Sequence, residues 1–152
     1  MSETGIVACM IMPTAIRPPK EFAETNSETC ALDKAAVCIL DDDLSMLKAL
    51  DRLLTSEGFV VRRFSHPGDF LATIRQAPCQ LAILDVWMPD MNGLEVQTVL
   101  RNESPKTRII FISGRDDPSV RHAAREAGAV GFLSKPFDDE DLLQLVRRTT
   151  AL

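Results

Sequence analysis

From Val37 onward, short apolar runs rich in branched residues alternate with longer stretches of amphipathic character. The runs "VCIL", "FVVRRF", "LAILDV", "RIIFIS" and "VGFLS" read as five strands. After the first comes "LSMLKALDRLLTSEG", which keeps Leu47, Leu50 and Leu54 on one face and ends at Gly58, a helix stop. A shorter second helix is predicted from Pro67 to Arg75, with Phe70 and Ile74 inward. The third runs from about Leu94 to Asn102 and buries Val96, Val99 and Leu100, and the fourth spans Pro118 to Ala127 before another stop at Gly128. The last, "DDEDLLQLVRRTT", is acidic at its start and basic at its end, as the helix dipole favours, with Arg147 and Arg148 placed to cap its final carbonyls. Alternating strands and helices, with mostly two-sided apolar strands, imply an α/β domain: a doubly wound parallel sheet of five strands in (βα)5 order, covered by helices on both faces.

The first 36 residues differ from the rest. Pro13, Pro18 and Pro19 interrupt them, and "EFAETNSETC" is polar without a sustained period, so residues 1–36 are expected to be a largely disordered extension ahead of a domain at 37–152, with at most one short element around Ile6 to Met12. The apolar stretch "IVACMIMPTAI" is too short to span a membrane and lacks a preceding basic segment, which argues against a signal peptide. A net charge of -5 argues against general affinity for nucleic acid or anionic lipid. Cys9, Cys30, Cys38 and Cys79 show no metal-ligand spacing and read as reduced thiols of a cytoplasmic protein, Cys38 and Cys79 as buried small residues. His66 and His122 lack a partner pattern and are expected at the surface.

In an open parallel sheet, ligands bind beyond the carboxyl ends of the strands. Right-handed crossovers put those ends on one edge. The first strand ends in Asp41, Asp42 and Asp43, the third in Asp85, the fourth in Ser113 and the fifth in Lys135. A lone aspartate at a strand end is commonly a turn or helix cap, and an acidic run is commonly a solvated loop or N-cap. The joint occurrence of all four at successive strand ends is what indicates chemistry. Carboxylates brought together there repel one another unless a cation is present, and Mg²⁺ suits oxygen donors while keeping positions open for phosphate oxygens, with Mn²⁺ as an alternative. A lysine and a serine at the same edge would hold the remaining phosphoryl oxygens beside a carboxylate nucleophile.

The segments "ILDDD", "LAILDVWMPDMNGLE", "IIFISG" and "GAVGFLSKPF" resemble the response regulator receiver domain of two-component signalling, over roughly Val37 to Thr150. The resemblance implies a flavodoxin-like sheet of strand order 2-1-3-4-5. It implies Asp85 as the residue phosphorylated by a sensor histidine kinase or phosphotransfer protein, Asp41 and Asp42 as the acidic pair that recruits Mg²⁺ with Asp85, and Trp87 as the donor of a backbone carbonyl to the metal. Ser113 and Lys135 would hold phosphoryl oxygens, Ser113 and Phe132 would act as the switch, and the Lys135–Pro136 bond would be cis. Asp43 becomes a loop residue, and Gly93 is placed to take a positive φ. Such a domain catalyses its own phosphorylation and dephosphorylation without being a conventional enzyme, and passes the signal to a protein target through the face made by the fourth helix, fifth strand and fifth helix. A phosphorylation-dependent dimer is compatible with that face, and no direct nucleic-acid binding is expected.

Two other functions compete. "DDDLS" loosely matches the motif of haloacid-dehalogenase-type phosphohydrolases, with Asp41 as nucleophile, but that family needs a further acidic motif after the lysine and leaves Asp85 unexplained. A receiver-like docking module that is never phosphorylated is the other, and the intact acids and lysine weigh against it. The bulky Trp87 and Arg115 flank the expected phosphorylation site and are placed to shield an acyl phosphate from water. The segment from "FISGRDD" to "DDEDLL" resembles receivers that precede helix-turn-helix domains, while the end at "RRTTAL", just past the fifth helix, favours a stand-alone regulator.

Overall fold

A computed structural model describes residues 36–151; the expected disordered extension, apart from Ala36, lies outside the described residues, as do Cys9 and Cys30. Five strands and five helices alternate: β1 (Ala36–Leu40), α1 (Leu44–Ser56), β2 (Val60–Phe64), α2 (Pro67–Gln76), β3 (Leu81–Asp85), α3 (Gly93–Glu103), β4 (Arg108–Ser113), α4 (Pro118–Glu126), β5 (Gly131–Ser134) and α5 (Asp139–Thr150). All pairings are parallel, in the order β2-β1-β3-β4-β5. This is the flavodoxin-like (βα)5 sheet of order 2-1-3-4-5.

Side chains alternate across each strand, so the three central strands feed two cores. Cys38, Leu40, Ala82, Leu84, Ile109 and Phe111 pack with Phe70 and Ile74 of α2, Val96 and Leu100 of α3 and Ala124 of α4. Val37, Ile39, Ile83, Ile110 and Ile112 face the other way, against Leu47, Leu50 and Leu54 of α1 and Leu142 and Val146 of α5. Burial on both faces holds for β1, β3 and β4 but not for the edges: β2 alternates between half-buried and exposed residues, and β5 is half-buried throughout. An edge strand has one neighbour and less helix over it, so "FVVRRF" carries arginines that a central strand would not accept.

The helix starts are fixed by side chains. Asp43 caps α1, accepting from the backbone N–H of Ser45 at 2.9 Å and of Met46 at 3.3 Å. Asn92 and Glu95 form a capping box at α3, each side chain accepting from the other's backbone N–H at 2.9 Å. Asp117 caps α4 through Ser119, and the hydrogen bonds from Ser119 hold its carboxyl below the usual range. Gly58 and Gly128 end α1 and α4 with φ of 94° and 97°, as their positions predict.

Three expectations need correction. Gly93 is not at a positive φ. It is required by space, because a Cβ there would lie 2.6 Å from the Asp85 carbonyl oxygen and 3.0 Å from the Phe111 ring. Arg147 does not cap the end of α5; its guanidinium reaches Glu57 at 2.6 Å and Glu140 at 3.2 Å, because charge of the opposite sign lies within its reach at the end of α1 and one face back along α5. Val99 is only half-buried, and Gln97 takes the buried place beside Val96 and Leu100. Cys38 and Cys79 are buried free thiols in the first core, and contact with Cys79, together with burial, pushes the Cys38 thiol up.

Gly93→Ala should destabilise the domain by about 1–3 kcal/mol, since the Cβ meets backbone that cannot yield. Gly68→Ala, in α2 with nothing within 4 Å of the added carbon, should be neutral or stabilise by up to about 1 kcal/mol. Urea midpoints check the pair, and equal losses for both would show that space at Gly93 is not the constraint.

Candidate phosphoryl-transfer site

The carboxyl ends of four strands deliver the site. Asp41 follows β1 directly and is fully buried; Asp85 is the last residue of β3 and is 4% exposed; Asp42 is exposed beside them. One carboxylate oxygen from each of the three lies within 4.8 Å of the others. At that spacing each pair of like charges costs about 3 kcal/mol at an effective dielectric near 20. Lys135, just past β5, relieves part of this, its Nζ standing 3.1 Å from Asp41 Oδ2 and 3.7 Å from Asp85 Oδ1. Three carboxylates against one ammonium leave an excess of negative charge. An all-oxygen donor set with such an excess fits a hard divalent cation, so the residues present suit Mg²⁺.

Backbone hydrogen bonds fix these positions. Asp41 N–H donates to the Phe64 carbonyl at 3.1 Å, Val86 N–H to Ile112 at 3.0 Å and Lys135 N–H to Ser113 at 2.7 Å, so every loop carrying a site residue is tied to the next strand. Asp41 Oδ1 also accepts from Asp43 N–H at 2.9 Å, which aims its other oxygen at Lys135. The Lys135–Pro136 bond is cis.

Burial, then the charge of Asp41, pushes the Asp85 carboxyl up to about 7, with Lys135 acting in the opposite sense. Among the described carboxylates it is the one raised into the neutral range. Its environment therefore disfavours the charged form, which is the condition a cation would relieve.

Ser113 is fully buried, and its hydroxyl is engaged by backbone: Oγ donates to the Arg115 carbonyl at 2.8 Å and accepts from Arg115 N–H at 3.1 Å. Phe132 is half-buried, its ring centroid 6.4 Å from that of Phe111. Trp87 is half-buried against the first core, with the Arg115 guanidinium 4.5 Å from its ring centroid. The two bulky residues noted in the sequence thus stack on each other. The Trp87 indole N–H is buried without an acceptor. Arg121 on α4 was not visible as a site residue, since an arginine on a polar helix face carries no signal of its own. Its guanidinium lies 4.8 Å from the Phe132 ring centroid and bonds Asp116 at 2.6 Å and Ser134 at 3.1 Å.

Residues 37–147 match the family described as the response regulator receiver domain. The chain belongs to that family. The receiver is 44% identical over 121 residues to the response regulator protein TodT of Pseudomonas putida, across 79% of this chain and 53% of that protein. It is 42% identical over 119 residues to the response regulator protein TmoT of Ectopseudomonas mendocina, across 78% and 54%. The chain therefore spans about half the length of these curated relatives. Its fold matches the CheY-like receiver domain protein of Methanospirillum hungatei with a TM-score of 0.74 at 27% identity, covering 78% of this chain and 94% of that one. The receiver's carboxylate cluster is consistent with a phosphorylation-dependent signalling switch, and with phosphorylation and dephosphorylation of its own side chain in place of conventional catalysis. Among the described residues, no helix is long and apolar enough to cross a membrane.

A carboxyl whose pKa rises on folding binds its proton more tightly in the folded protein. The resulting stability is fully present below the unfolded value near 3.8 and is lost as pH rises through about 7. Asp85→Asn should therefore exceed the unaltered protein in stability by about 2–4 kcal/mol at pH 8 in chelator-treated buffer, and by less than half of that at pH 5. Denaturant titrations at the two pH values check this, and a difference independent of pH would overturn it.

Proposed function

We propose that the domain receives a phosphoryl group on Asp85 from a histidine kinase or phosphotransfer protein and signals through a change in its protein-binding surface. The observation that carries this reading is the convergence of Asp41, Asp42 and Asp85 within 4.8 Å, with Lys135 at 3.1 Å and 3.7 Å from two of them. Family membership supports the same assignment. A beryllofluoride-activated receiver domain, DrrB, shares the fold with a TM-score of 0.72 at 28% identity, and that activation brings to this chain the expectation of a phosphoryl mimic held at Asp85.

In the proposed step, an Asp85 carboxylate oxygen forms a bond to phosphorus as the bond from phosphorus to the donor's imidazole nitrogen breaks. The imidazole leaves with the bonding electron pair and is protonated by solvent. Asp41, Asp42, Asp85 and the Trp87 carbonyl would hold Mg²⁺, which would supply positive charge against the transferring oxygens. Lys135 holds one phosphoryl oxygen by charge. Ser113 exchanges its bonds with the Arg115 backbone for a bond to another, and Phe132 moves inward as that loop is released. Hydrolysis returns the carboxylate and inorganic phosphate. The output face is α4, β5 and α5, where Arg121 and Phe132 lie.

Incubation with acetyl phosphate and Mg²⁺ tests the assignment. Asp85→Asn should abolish labelling, and Lys135→Ala should lower it by about tenfold or more. Sustained phosphate release that survives Asp85→Asn and is lost with Asp41→Asn would replace the switch with a hydrolase.

The Arg115 guanidinium stacks on the Trp87 ring, each residue standing two positions after a strand-end site residue, Ser113 and Asp85. Replacing both by serine should speed decay of the labelled protein about threefold or more by admitting water. An unchanged decay rate would exclude a shielding role.

A further inference from the structure

Two buried side-chain polar atoms among the described residues lack a hydrogen-bond partner. One is the Trp87 indole nitrogen at the phosphoryl site. The other is Gln97 Oε1 on α3, in a residue that shares a cleft with Thr107 and Ile109 at the start of β4. Gln97 is 2% exposed, and its Nε2 donates to the Ala127 carbonyl at 3.0 Å, which fixes which end of the amide is the oxygen. A buried carbonyl oxygen with no donor is a costly arrangement. Gln97 lines a cleft of about 280 Å³ between α3, the start of β4 and the Ala127–Gly128 end of α4. That volume lies at the small end of the range for small-molecule sites.

The other polar groups of the cleft narrow the ligand chemistry. Thr107 Oγ1 donates to the Cys79 carbonyl at 2.7 Å, so in its 2.7 Å contact with Ser104 it is the acceptor and has no proton left to offer. Arg101 disfavours a cation, and the carbonyl end of α4 at Ala127 disfavours an anion. Leu100, Pro105 and Ile109 supply apolar wall. What remains unmatched is a single acceptor.

We propose that this cleft binds a small uncharged organic molecule, an apolar body carrying one N–H or O–H that donates to Gln97 Oε1. The oxygen is covered without ligand, so the contact forms as the cleft opens, and the new hydrogen bond offsets part of that opening. The site is separate from the phosphoryl chemistry and does not depend on it. Because it joins α3 to the end of α4, occupancy would bear on the helix that carries Arg121.

Cyclohexanol and its methyl ether, which differ in the donor, are the probes, titrated into the full chain and followed by amide chemical shifts. Cyclohexanol should shift Leu100, Ala127 and Gly128 with a Kd of about 1 mM, and the ether should bind about tenfold more weakly or less. Gln97→Leu should abolish that preference while acetyl phosphate labelling is retained; should the variant fail to fold, the two probes on the unaltered protein still decide. Equal affinity for both probes, shifts confined to other regions, or no saturation by about 20 mM would overturn the proposal. So would a crystal structure grown with cyclohexanol in which Gln97 Oε1 is met by an ordered water only.

Discussion

The site depends on an unresolved repulsion. Three carboxylates are held within a few ångströms by backbone that cannot relax: β3 is buried on both faces, and the Asp41 N–H is tied to the strand beside it. A flexible loop would let such charges drift apart. Here the parallel sheet brings Lys135 to Asp41 across 94 residues of sequence, and it does so at the one edge where every strand ends. The negative charge that remains in excess is what suits the edge to a hard divalent cation.

The scaffold keeps that edge rigid through the same residues that begin the helices. Asp43, Asn92 and Asp117 each follow a site strand and each caps the next helix, so the loops bearing the chemistry are anchored at both ends. Gly93 shows how tight the arrangement is. The start of α3 approaches the Asp85 carbonyl so closely that no side chain can stand between them, and this closeness sets where the loop after Asp85 can run.

Much of this was legible from residue order. Short apolar runs rich in branched residues, "VCIL", "LAILD" and "RIIFIS", gave the central strands, and the coincidence of acids, serine and lysine at strand ends located the cluster. Family resemblance supplied the sheet order. What escaped was set by tertiary distance. Gly93 reads as a turn glycine until the Phe111 ring beside it is known, and Arg147 reads as a cap until Glu57, from another helix, is within reach. Gln97 sits on α3 among apolar neighbours without any pattern marking it as buried, because its partner, the Ala127 carbonyl, is contributed by backbone thirty residues away.

Arg121 has a consequence of its own. One guanidinium is shared among the Phe132 ring on β5, the Ser134 hydroxyl at its end and the Asp116 carboxylate in the loop ahead of α4. Asp116 directly precedes α4 and travels with it, so the ties that cross from the helix to β5 are those to the Phe132 ring and the Ser134 hydroxyl. One side chain thus ties the helix to both the body and the end of the edge strand, which is half-buried throughout.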